Sequence, residues 1–277
     1  GMSDKQLFLN ASGDGYPVDV AGSEVIKTAH MTKGTAVLTD TSFTLYDKKG
    51  RSVLSEAHFL SSPGMENSGK YSLLFDRMGV NYMARNLSRV TCSGDAENPI
   101  ICGDISSDGT FVLVTNSETT NALVYVYARD GKLIQSWKSV DDKISDVALS
   151  PSGRYIAWNG LSTKDGTLMS TVNVRKVGEK KNLKEYAFDD TLIVDLEFDT
   201  DARLFAVGDV LSAVLGVRKD NNFAYSYEDR NLRYYDINED GELALVFSDS
   251  SDGSNASVIV LDRECREKAA VYTDLNS

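Results

Sequence analysis

A short polar turn that recurs six times constrains the fold of this chain more than any other feature. It is plainest at Ser106-Ser107-Asp108-Gly109, Ser150-Pro151-Ser152-Gly153 and Asn238-Glu239-Asp240-Gly241. Pro151 suits a type I turn position with φ of about −65°, and each glycine suits the left-handed residue that follows. Weaker copies stand at Thr32-Lys33-Gly34, Asn67-Ser68-Gly69 and Thr200-Asp201-Ala202. The markers at 34, 69, 109, 153, 202 and 241 lie 35, 40, 44, 49 and 39 residues apart. That is the spacing of a unit of four short strands.

The register extends to residues that did not define it. Nine positions before each marker stand Val25, Leu60, Ile100, Ile144, Ile193 and Leu232. Four before stand His30, Met65, Ile105, Leu149, Phe198 and Ile237. Two after stand Ala36, Tyr71, Phe111, Tyr155, Leu204 and Leu243. Only His30 is neither aliphatic nor aromatic, in a chain that is 42% hydrophobic, so chance is a poor explanation. Runs such as Phe111-Val112-Leu113-Val114, Val124-Tyr125-Val126-Tyr127 and Leu133-Ile134-Gln135-Ser136-Trp137 then continue the unit. Alternating apolar runs with turns every roughly 8–12 residues signal all-β repetition, and no segment sustains a helical period.

A lone unit exposes two apolar faces, which stacking around an axis buries. The expectation is therefore an all-β β-propeller of six four-stranded blades, each marker joining a blade's first two strands. Residues 1–277 read as one domain: a lead over 1–22, then blades near 23–59, 60–95, 96–139, 140–188, 189–230 and 231–277. The lead, with Leu7, Phe8, Leu9 and the Pro17-Val18-Asp19-Val20 run, is expected to add an outer strand or to fasten the ring where first and last blades meet, or to form part of a seventh blade in the alternative count.

Charge narrows the partners. Lys and Arg total 29 against 41 Asp and Glu, a net charge of −12. This disfavours nucleic acid and direct docking on anionic lipid, both of which need clustered cations. Cys92, Cys102 and Cys265 lack zinc-type spacing. Cys92 and Cys102 can pair in an exported protein and are otherwise small buried apolar residues.

Motifs for chemistry are sparse. His30 and His58 are the only histidines, and neither has a nucleophile motif beside it. His30 reads as a core histidine satisfied by backbone. Asp141-Asp142, Asp189-Asp190, Asp199 with Asp201, and Asp249 to Gly253 read as solvated turns, the last without EF-hand ligand spacing. No cofactor is expected. Aromatics concentrate at Phe223, Tyr225, Tyr227, Tyr234 and Tyr235. Tyr225, Tyr227 and Tyr234 are the candidate contacts for a protein or glycan ligand, with core packing the competing reading for Tyr235 or its neighbour. The leading expectation is a non-catalytic binding or scaffold module. The alternative is a hydrolase or lyase with a central-channel carboxylate or metal site.

The S-x-D-G and S-P-x-G turns feeding apolar strands resemble blades of TolB-like, WD-repeat-like and quinoprotein-like propellers. Residues 58–83, with Leu45-Tyr46-Asp47-Lys48-Lys49-Gly50 before them, resemble an uncharacterised family of bacterial propellers from Gram-positive organisms. That resemblance implies an N-terminal membrane helix ahead of this sequence and an extracytoplasmic propeller, a cytoplasmic one being the alternative. Gly1 before Met2 is not a natural start, which accords with such a missing segment. The family assigns no catalytic residues.

Overall fold

A hairpin forms at every marker turn. The protein's computed structural model describes residues 3–20, 24–140, 142–238, 240–248 and 256–273. After a short helix, α1 (Asp4–Leu9), the first sheet comprises β1 (Val25–Met31), β2 (Gly34–Thr39), β3 (Ser42–Asp47) and β4 (Ser52–Ala57). The second comprises β5 (Pro63–Ser68), β6 (Tyr71–Asp76), β7 (Asn81–Asn86) and β8 (Val90–Asp95). The third comprises β9 (Ile100–Ile105), β10 (Phe111–Thr115), β11 (Ala122–Tyr127) and β12 (Leu133–Ser139). The fourth comprises β13 (Lys143–Leu149), β14 (Tyr155–Lys164), β15 (Thr167–Lys176) and β16 (Asn182–Asp189). The fifth comprises β17 (Ile193–Thr200), β18 (Arg203–Gly208), β19 (Leu211–Gly216) and β20 (Phe223–Ser226). The sixth comprises β21 (Leu232–Ile237), β22 (Leu243–Ser248), β23 (Ala256–Leu261) and β24 (Glu267–Thr273). Strands that are consecutive in sequence lie side by side in all six sheets. The fold is a six-bladed all-β propeller, not a seven-bladed one.

By chain contacts the protein divides into two units, Gly1–Arg154 and Tyr155–Ser277. The first unit holds a cluster around Met31, Leu38, Leu45 and Met65, and another around Leu73, Phe75, Phe111 and Leu113. The second holds a cluster around Phe205, Tyr227, Leu245 and Ile259.

The turns close as their residues dictate. Gly109, Gly153 and Gly241 have φ of +90°, +70° and +68°, and their amides donate to Ser106 O, Ser150 O and Asn238 O at 3.0, 2.8 and 2.9 Å. Asp108 accepts from the Thr110 amide at 2.9 Å, and Asn238 accepts from the Asp240 and Glu242 amides at 3.0 and 2.9 Å. Glu239, inside the last turn, lies outside the described residues. The same turn recurs later in three blades, the third blade using Gly131, whose amide donates to Ala128 O. Gly50 and Cys265 donate to Asp47 O and Asp262 O, with Cys265 in the left-handed region at φ +56°. Burial alone would raise the Asp47 carboxyl, but hydrogen bonds from Arg51 and the Lys49 amide outweigh it and hold the group below its ordinary value.

Gly153→Val is expected to destabilise by about 1–3 kcal/mol, because a side chain at φ +70° is strained. Its Cβ would also meet the Asp108 carboxylate at 2.8 Å. Chemical denaturation checks this, and an unchanged midpoint would contradict the turn assignment.

Register explains why the marker copies differ. In three blades the residue four before the marker pairs with the residue two after: Ile105 with Phe111, Phe198 with Leu204, Ile237 with Leu243. The copy at Ala202, which lacks glycine, closes over Asp201-Ala202 alone, with Thr200 opposite Arg203 and a bulge beside it. The first two blades also use two-residue turns, pairing Met31 with Gly34 and Ser68 with Tyr71. The shortened first turn moves the pleat by one residue. Met31 therefore takes the buried place, and His30, expected in the core, is exposed. A one-residue slip exchanges the two faces of a strand.

Over Leu7, Phe8 and Leu9 the lead is helical rather than extended. Ser3 caps α1 by accepting from the Gln6 amide, and Phe8 packs on the first cluster. Beyond the helix, the lead meets β4 through an antiparallel bridge of Ser12 with Ser52. Cys92 and Cys102 are both free: Cys92 lies opposite Ala84 in the second sheet, and Cys102 opposite Val114 in the third. Asp199 is held in an ion pair with Arg203 rather than solvated. Asp141 and the 249–253 segment lie outside the described residues. No helix among the described residues is long and apolar enough to cross a membrane.

Candidate functional site

The three tyrosines singled out in the sequence have different fates. Tyr227 is buried at 1% exposure, its hydroxyl hydrogen-bonded to Ser212 Oγ at 2.5 Å and its ring 5.1 Å from Phe247. Burial pushes its hydroxyl up to about 12. It is a core residue and cannot meet a partner. Tyr225 is half-buried, donating to Glu267 and accepting from Arg230 Nη2 at 2.8 Å. Arg230 also stacks 4.6 Å above Phe247 and donates to Tyr227 O, so Tyr225 belongs to a bracket joining the last two blades. Tyr234 alone is open, at 74% exposure on β21, while Tyr235 packs into the cluster beneath. The three do not form one surface. Phe223 lines a separate cavity of about 360 Å³ with Tyr186, Phe188 and Leu215.

The more developed site is a cavity of about 430 Å³ at the junction of the first two blades. Phe43, Leu60, Leu74 and Met83 form apolar wall, and Tyr82 and Asn81 contribute from β7. Such a volume is in the range of small-molecule sites. His58 is fixed at its edge, with Nε2 donating to Thr39 O at 3.0 Å and Nδ1 accepting from the Leu60 amide at 3.3 Å. This arrangement leaves the next residue, Phe59, 96% exposed. Burial, with help from the neighbouring Cys92, pushes the Tyr82 hydroxyl up to about 12.

Arg85 gives this cavity its polarity. The pairing of β7 with β8 shifts register between Ala84 and Arg85, Thr91 of β8 being the extra residue, and both Ala84 and Arg85 are buried. The Arg85 side chain is 2% exposed. Its guanidinium lies 4.7 Å above the Phe43 ring, Nη1 pairs with Glu56, and Nε donates to Asn86 O at 3.3 Å. Its Nη2 finds no hydrogen-bond partner among the described residues. An unmade hydrogen bond of this kind costs about 1–3 kcal/mol, more for a charged group. Glu56, by contrast, keeps 44% of its side chain in solvent. The site is thus an apolar chamber with one buried cation and a spare donor. Sequence reasoning passed over Arg85, because a single cation in Tyr82-Met83-Ala84-Arg85-Asn86 carries no local mark of burial.

Comparison with other proteins places this geometry on a widespread scaffold. The complex of KlAtg21 with the coiled-coil of AgAtg16 superposes with a TM-score of 0.66 at 13% identity, covering 93% of this chain and 88% of that one. The Pan2 WD40 domain of Neurospora crassa superposes with a TM-score of 0.58 at 14% identity, covering 91% and 76%. At these identities the likeness defines a class by fold alone: a WD40-like propeller. Within that class, residues 19–277 match the family of unknown function DUF5711, and the chain belongs to that family. No curated protein matches the chain at a significant level.

Proposed function

We propose that this chain is a non-catalytic binding propeller whose recognition site is the cavity between its first two blades. The observation that carries the reading is the buried Arg85, which lines a mainly apolar cavity and holds a donor that no described residue uses. Apolar walls with a few fixed polar groups are the usual makeup of a ligand site. The exposed Phe59 supplies an aromatic contact at the mouth. The KlAtg21 propeller is itself captured with a bound coiled-coil, an instance of this scaffold serving as a binding platform. Display outside a bacterial membrane, on an N-terminal anchor, is part of the proposal and rests on the resemblance of residues 45–83. Protease protection of the full-length protein in intact protoplasts would count against that location.

The binding reading is tested by amide NMR with a library of small aromatic acids, amides and alcohols. Ligand-induced shifts are expected to concentrate at Phe59, Leu60, Tyr82 and Met83. Shifts that cluster on another blade, or none at all at millimolar ligand, would overturn it.

A further inference from the structure

We infer that the cavity between the first two blades binds a small monocarboxylate with an apolar body, and that Glu56 occupies the carboxylate's place when the site is empty. The inference rests on the binding role proposed above and adds the chemical class of the ligand.

Three features of the chamber select this chemistry. The first is its single cation: Arg85 is the one Lys or Arg among the residues lining the cavity. A phosphate or other dianion in so apolar a space would need more compensating charge, whereas one guanidinium matches one carboxylate. The second is the unequal hold on the two partners of the ion pair. Arg85 is 2% exposed and clamped over Phe43, while the Glu56 side chain is 44% exposed. Glu56 can turn into water once a ligand carboxylate takes over the charge of Arg85, whereas Arg85 is held in place. The third is the unpartnered Nη2 beside the Nη1 that Glu56 engages. A guanidinium offers paired N–H groups in a fork that matches a carboxylate's two oxygens. Glu56 uses one prong only, so a ligand carboxylate taking both makes a bond that the internal carboxylate does not. Phe43, Leu60, Leu74 and Met83 then cover the ligand's apolar body. A cavity of about 430 Å³ is the size of a small-molecule site.

The test is isothermal titration with 4-phenylbutyrate and its isosteric amide, 4-phenylbutyramide, on the whole chain. The acid is expected to bind at least tenfold tighter than the amide. Glu56→Gln, at a half-exposed position, should tighten the acid several-fold. Arg85→Lys and Arg85→Met should each erase the preference for the acid, and the amide comparison on the unaltered protein stands even if these variants fail to fold. Equal binding of acid and amide, mapped to the cavity by amide shifts, would overturn the carboxylate assignment while leaving a binding site in place. Absence of binding by both would overturn the binding role as well. Tighter binding of phenyl phosphate than of the acid would overturn the monoanion argument. Binding of a Phe-terminated hexapeptide in preference to 4-phenylbutyrate would assign the carboxylate to a chain terminus and overturn the small-molecule claim.

Discussion

Phe111→Ala is expected to lower stability by about 3–5 kcal/mol, the cost of emptying a fully enclosed aromatic site. Phe111 stands two residues after its marker glycine and is fully buried. Its ring lies 5.0 Å from that of Tyr127 and 5.8 Å from that of Tyr82, within the cluster of Tyr71, Leu73, Ile105 and Leu113. Neither neighbouring ring can collapse into the void without leaving its own packing. Leu133→Ala, in the same blade but 48% exposed, should cost only about 0.5 kcal/mol and serves as the control. Urea denaturation followed by tryptophan fluorescence separates the two. A Phe111→Ala loss as small as the control's would mean that the repeat register does not define the core.

Tyr227→Phe is expected to change how stability responds to alkali. The Tyr227 hydroxyl is pushed up to about 12 by burial, whereas an unfolded tyrosine titrates near 10. Below pH of about 10 both states are protonated and the native preference for the neutral phenol is present in full. As pH rises toward about 12, the unfolded chain releases its proton first. Stability then falls, by about 2–3 kcal/mol for a shift of this size. Phe cannot ionise, so the variant should lack this part of the decline. Near neutrality the variant should be weaker by about 1–2 kcal/mol, because Ser212 Oγ is left buried without its partner. The difference should shrink or reverse between pH 10 and 12. Denaturation curves that stay parallel over that range would show that Tyr227 titrates as an exposed phenol.

The fold was legible because its information is local. A Gly-terminated turn and the apolar residue two places later both act within one hairpin, and Ala36, Tyr71, Phe111, Tyr155, Leu204 and Leu243 are all buried. His30 was misplaced because Gly34 lies inside β2, paired with Met31, and Thr32 and Lys33 alone make the turn, a difference that composition does not announce. Tyr225 and Tyr227 share sequence parity, yet Tyr227 lies just beyond the end of β20, and its amide bonds to Val210 O as the chain turns inward. Arg85 was the least legible. Its burial depends on Phe43 and Glu56 of the preceding blade, residues 42 and 29 positions away, and no single-strand pattern encodes that juxtaposition. Cavities between blades arise from long-range stacking, so function is harder to read here than fold.

The most direct measurement of the central claim is a crystal structure of the chain grown with 4-phenylbutyrate. The account predicts the phenyl group among Phe43, Leu60, Leu74 and Met83, the carboxylate on Arg85 Nη1 and Nη2, and Glu56 turned out to solvent. A ligand found only on another blade, with Glu56 still on Arg85 and the cavity empty of it, would contradict the claim.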